Sequence, residues 1–153
     1  MTVLNYTTKI AATKTISEIQ ALLARHGAMR IATDYHDGQP SALTFALTTP
    51  HGPHLFTLPV DVDAMHRLML AEDDAGRLRG GMSTAVRRSR QQAERVAWRV
   101  IKDWLAAQLA LVQTEMAAID QVMLPYLHVD GDRTLYAAYR DRENVLALEA
   151  GPR

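Results

Sequence analysis

A single α+β domain is the fold class this sequence predicts: a helix, a three-stranded antiparallel meander, a second helix, then a long amphipathic helix and a short C-terminal helix. Three observations carry that prediction. Apolar residues recur at steps of three and four before position 27 and again after position 90. Between those stretches lie three short runs of β character, each bounded by turn signals. And 153 residues is about one domain's length, enough to bury a core without covalent staples.

The elements follow in order. Met1 to Thr13 reads as an extended arm. Thr15-Ile16-Ser17-Glu18 has the form of a capping box, in which hydroxyl and carboxylate each satisfy a backbone N–H at a helix start. Ile16, Ile19, Leu22 and Leu23 then keep helical spacing, and Gly27 suits the stop, so the first helix is expected over 16–26. Strands are expected over 28–35, 41–48 and 54–58. Asp37-Gly38 makes the first hairpin turn, and Pro50 and Pro53 around Gly52 make the second. Asp61 is a suitable N-cap for a helix over 62–71.

The next stretch, 72–89, is polar, holds Gly76, Gly80 and Gly81, and reads as a flexible basic connector. One long helix is expected over 90–123. Its apolar stripe runs through Trp98, Ile101, Leu105, Leu109, Val112 and Met116. A helix of that length, ~50 Å at 1.5 Å per residue, exceeds what a small sheet can cover. The surplus face is expected to pack on the C-terminal helix, on a second copy of the chain, or on both. Pro125 marks the end of the long helix, Asp130-Gly131-Asp132 is a turn, and a last helix is expected over 134–148. The organisation is thus one domain, 1–153, with an α-βββ-α module over 14–71, the connector over 72–89 and a helical part over 90–153.

Composition excludes several classes. The chain has no cysteine, so disulfides, thiolate metal sites and cysteine nucleophiles are out, which fits a reducing compartment. No window approaches the ~18 apolar residues of a membrane helix, and the start lacks a signal-peptide run. A cytoplasmic protein of a bacterial cell, with no membrane partner, is the expectation.

Lysine and arginine balance aspartate and glutamate at 17 each, but the balance is local nowhere. From Arg77 to Lys102 eight cations face Glu94 alone, a net +7, so the remainder carries −7. Segregated charge favours an acidic partner. Arg87, Arg88 and Arg90 stand where the connector enters the long helix. Arg95, Arg99 and Lys102 continue at i, i+4 and i+7, one stripe on the helix surface. Spaced cations of this kind can neutralise successive phosphates, and Trp98 could offer a base a stacking plane. Replacing Arg87, Arg88 and Arg90 by alanine is then expected to weaken nucleic-acid binding and leave the melting temperature nearly unchanged.

Other chemistry finds little support. His51-x-x-His54 and His36, with Asp34 or Asp37, flank turns and carry no HExxH-like signature. Asp61 with Asp63 is better explained as a cap and a first-turn charge, and Glu72, Asp73 and Asp74 lie near a loop. Asp130-Gly131-Asp132 lacks the twelfth-position glutamate of a calcium loop, since Asp141 stands there. Gly80-Gly81 lacks the Lys-Ser/Thr of a phosphate-cradling loop, and no serine sits in a nucleophile elbow. Neither catalysis nor a metal or other cofactor is expected.

The segment Ala93-Glu94-Arg95-Val96-Ala97-Trp98-Arg99-Val100-Ile101-Lys102-Asp103-Trp104, with Met123-Leu124-Pro125-Tyr126-Leu127, resembles a family of small uncharacterised bacteriophage and prophage proteins. Asn5-Tyr6-Thr7-Thr8, Thr15-x-x-Glu18 and Leu58-Pro59-Val60 resemble it too. The resemblance implies a mobile-element setting, where small proteins serve replication or recombination. The order of elements alone is similar to that of Rad52-type single-strand annealing proteins, an analogy of fold only. The sequence therefore leads to a phage DNA-binding accessory protein, homo-oligomeric, acting on single-stranded DNA in recombination or replication, with a phage or host replication or recombination protein as a further partner. The alternative is an oligomeric protein–protein interaction module that makes no nucleic-acid contact.

Overall fold

The computed structural model describes residues 3–141 and has the mixed architecture expected, with helices on one face of a three-stranded antiparallel meander. Strands β1 (Arg30–His36), β2 (Gln39–Thr49) and β3 (Gly52–Thr57) lie in the order β1-β2-β3, so β2 is central. Asp37 and Gly38 both take left-handed φ, 51° and 75°, as a two-residue hairpin turn requires. Alternation along β2 buries Leu43, Phe45 and Leu47 on one face. Phe45 pairs in register with Ile31 and with Phe56, and the two phenyl rings stack at 5.5 Å. The other face carries small residues, with the Thr44 and Thr57 hydroxyls 2.9 Å apart.

Helix α1 (Ala12–Arg25) starts four residues before the expected position. Thr15 therefore lies inside the first turn, fully buried, and the capping box does not form. Tertiary burial overrides the local signal. Ala12, Ile16, Ile19 and Leu23 share the core with the sheet, and burying them extends the helix backwards. Glu18 turns instead to Arg99. Helix α2 (Val62–Asp74) is capped as expected, the Asp61 carboxylate accepting the Ala64 N–H at 2.9 Å.

The stretch expected as a connector has fixed contacts. Leu78 is buried in a second apolar cluster with Val3, Met69, Ala93 and Val96, and residues Thr84–Arg87 form a single helical turn, α3. Ser83 caps α3 and Ser89 caps the long helix that follows, α4 (Arg90–Gln113), accepting the N–H groups of Val86 and Gln92. Gly80 and Gly81 take left-handed φ of 85° and 76°, which glycine adopts without strain.

The long helix is shorter than expected. Helix α4 spans Arg90–Gln113, 24 residues, and does not run to residue 123. Its end has a local cause. The Thr114 hydroxyl donates back to the Ala110 carbonyl at 3.0 Å, Glu115 turns left-handed at φ 61°, and the Met116 N–H returns to the Leu111 carbonyl. A separate helix, α5 (Ile119–Met123), follows, then a 3-10 turn over Leu124–Tyr126 that contains Pro125. Trp98, Leu105 and Leu109 are buried within this one chain, Ile101 and Val112 are half-buried, and Met116, beyond the helix end, is exposed. The apolar stripe of α4 is thus covered in good part within the chain, with Leu111 left exposed near its end.

Leu127 bridges to Phe56, and His128 Nε2 lies 2.6 Å from the Thr57 hydroxyl, so β4 (His128–Asp130) docks beside β3. It pairs with β5 (Arg133–Thr134), which leads into α6 (Leu135–Asp141). The expected remainder of that last helix, from residue 142, falls outside the described residues.

Candidate nucleic-acid interface

Five of the cations from Arg77 to Lys102 are drawn into close ion pairs by acids from α1 and α2. Asp73, at the end of α2, holds two of them. Its Oδ1 accepts from Arg87 Nε at 2.5 Å and its Oδ2 from Arg88 Nη1 at 2.9 Å. Arg88 also reaches Asp74 at 2.7 Å, and Arg77 reaches Glu72 at 2.5 Å. Arg90 pairs with Asp63 at the start of α2, and Arg99 Nη1 with Glu18 of α1 at 2.5 Å. The Asp73 and Arg87 side chains are only 9% and 16% exposed, so neither is a solvated surface charge. The carboxyl groups register these partners. Asp73 is held below its ordinary range, first by the hydrogen bond from Arg88 and then by that from Arg87. Asp63 is lowered by Arg90 and Glu72 by Arg77.

Of the six cations expected to meet phosphates, Arg87, Arg88, Arg90 and Arg99 are thus engaged inside the fold. Lys102 lies 4.0 Å from Asp103, a carboxylate that also accepts from the Asn5 amide at 2.7 Å. Arg95 differs. Its Nη1 donates to the Gln92 side-chain oxygen at 3.2 Å, and among the described residues no carboxylate stands within ion-pair distance of it. Trp98 is fully buried, so it offers no base a stacking plane, and its indole N–H finds no acceptor among the described residues.

The surroundings of Arg95 come from parts of the chain that sequence spacing does not connect. Gln92 is buried, and its amide nitrogen donates to the carbonyls of Tyr6 and Thr8, both at 2.9 Å. That ties the N-terminal arm to the first turns of α4 and sets Lys9 beside Arg95. The two cations share a cavity of about 330 Å³ with Gly81, Met82, Ser83 and Gln92, and its lining contains no acidic residue. Helices α1 and α4 run in the same direction, since Glu18 meets Arg99 near their middles while His26 and Gln113 share a groove near their ends. Both therefore begin on this side of the molecule, where helix ends carry partial positive charge. Helix α1 has no side-chain cap and no acid in its first turn.

No family model, curated protein or solved structure matches this chain. On the opposite flank of α4 lies a larger cleft, about 590 Å³, lined by Asp37, Asp61, Asp63 and Glu94 among others. Glu94 is buried, and the Gln39 amide, with its nitrogen toward the carboxylate, donates to both oxygens at 3.1 Å. Burial raises this carboxyl's pKa, against the opposing pull of Arg90 and Arg95. Neighbours in sequence, Glu94 and Arg95 thus face surfaces of opposite sign. Among the described residues no group of three or more histidines and carboxylates is placed to hold a metal ion, and no helix is long and apolar enough to cross a membrane.

Lys9, Gln92 and Asp73 escaped sequence reasoning. Lys9 sat in an arm without periodicity. Asp73 was grouped with its acidic neighbours rather than with arginines 14 and 15 positions away. Only Gln92 left a trace: it shares a helical face with Val96 and Val100, a polar residue where apolar ones are spaced.

Proposed function

We propose that the chain is a non-enzymatic accessory protein of a mobile element, working in the bacterial cytoplasm, that holds a single nucleic-acid strand by its phosphates on the side where α1 and α4 begin. The observation that supports this is the pairing of Lys9 and Arg95 in one cavity free of carboxylates, while most neighbouring arginines are held by acids. The contact is then smaller than the full stripe. Each phosphate neutralised on a single strand contributes about −0.7 to the slope of log affinity against log salt, so two contacts give about −1.4 and six would give about −4. Fluorescence polarisation with a labelled oligothymidine, from low salt upward, measures that slope. A value near −4 would restore the whole stripe as the contact. No binding at low salt would sink the strand reading.

The second reading is an oligomeric interaction module that touches no nucleic acid. What favours it is the ion pairing itself, together with exposed Leu111 and Met116 at the far end of α4. Light scattering separates the two, since a stable oligomer with no strand affinity belongs only to the second.

A further inference from the structure

Lys9 and Arg95 line a single open pit of about 330 Å³. Arg95 Nη1 donates to Gln92, which is itself pinned by two backbone carbonyls of the arm, so one edge of the guanidinium is set in place before any ligand arrives. One of its N–H groups is used on Gln92, leaving the others to donate. Lys9 supplies an ammonium from the arm. Ser83 accepts the Val86 N–H as a helix cap, which leaves its own O–H proton free to donate into the cavity. Gly81, in the left-handed turn, presents backbone without a side chain to fill the space. Arg95, Lys9 and Ser83 can therefore each offer a donor, and the two formal charges of the lining are both positive.

Two neighbouring cations match a ligand bearing two negative charges in one small group. A phosphate monoester carries about −1.5 to −2 at neutral pH, whereas an internal phosphodiester or a carboxylate carries one. A guanidinium fork also suits phosphate oxygens in a bidentate arrangement. We infer that this pit takes a phosphate monoester, as found at the end of a nucleic-acid strand or on a free mononucleotide. The inference rests on the strand-binding reading only for the first of those sources.

The test uses the full chain and three probes: a 3′-labelled oligothymidine ending in a 5′-phosphate, the same strand ending in a 5′-hydroxyl, and thymidine 5′-monophosphate as competitor. The phosphorylated strand is expected to bind roughly tenfold more tightly than the hydroxyl strand, the worth of one hydrogen-bonded charge, and the monophosphate to erase that advantage. Lys9→Met and Arg95→Gln should each remove most of the difference, and the exposed arm position of Lys9 makes the first variant safe for folding. Equal binding of the two strands overturns the terminal-phosphate inference and leaves the strand reading standing. Binding of the monophosphate with no affinity for either strand does the reverse. An acidic peptide that competes as well as the monophosphate would also overturn the inference, since a carboxylate-bearing partner would then fit the pit equally.

Discussion

Two sets of basic residues meet opposite fates in the fold. Arg87, Arg88, Arg90 and Arg99 are taken up by Asp73, Asp74, Asp63 and Glu18; the first two fasten α3 to α2, and the others fasten α4 to α2 and α1. Arg95, no more basic and no differently placed in sequence, is left with Lys9 of the N-terminal arm facing a cavity without an acid. The difference teaches that a run of cations is not one feature. Each is defined by what the remainder of the fold sets against it, and here the −7 carried elsewhere in the chain returns to cancel most of the +7.

Asp73→Ala should break the comparison most sharply. It strips the carboxylate from two arginines at once, in a site where Asp73 is 9% exposed. Leaving charge unpaired at a nearly buried position destabilises, so the melting temperature should fall by several degrees. The same variant should gain affinity for single-stranded DNA at low salt, because Arg87 joins the unpaired set and Arg88 keeps only Asp74. A stable variant with unchanged binding would mean that the pairing is incidental.

Acid titration of the folded protein gives a second, smaller effect. The Asp73, Asp63 and Glu72 carboxyls all have pKa values lowered by folding, from ordinary values of 3.8, 3.8 and 4.5. In that window the unfolded chain binds more protons, so their contribution is fully present above the ordinary values and is lost as pH falls through the folded ones. The melting temperature should therefore hold from pH 7 to about pH 5 and drop below about pH 4. The melting deficit of Asp73→Asn relative to the parent, clear at pH 7, should vanish in the same acid range.

Glu94→Gln is expected to act least, and in the opposite sense. Burial raises this carboxyl in the folded state above its ordinary 4.5, so its ionised form costs stability at neutral pH. The variant should melt slightly higher than the parent at pH 7. The gain should shrink as pH falls through the raised folded value, where the parent's carboxyl protonates. A loss at pH 7 would show that the Gln39 amide satisfies the ionised carboxylate fully.

Much of the fold was legible because its signals are local. The Asp37-Gly38 turn, the alternation of Leu43, Phe45 and Leu47, and the Asp61 cap each need only a few consecutive residues, and each stands as read. The failures have non-local causes. Thr15 and Glu18 spell a capping box, yet burial of Ala12 carries α1 past it. The apolar rhythm continues smoothly through residues 113–119, but a single left-handed residue, Glu115, divides the helix there. The candidate site fared likewise. Its arginines were visible as a stripe, while the acids that silence most of them lie on other elements, and Lys9 reaches Arg95 only through the Gln92 contacts to the arm.

The most direct measurement is the thermal melt of the full chain carrying Arg87→Ala, Arg88→Ala and Arg90→Ala together, paired with its affinity for labelled single-stranded DNA. If these arginines serve the fold, the melting temperature drops clearly and, below it, strand affinity stays close to that of the parent. An unchanged melting temperature with lost affinity, as the sequence alone would have it, would contradict the account and return the stripe to the nucleic acid.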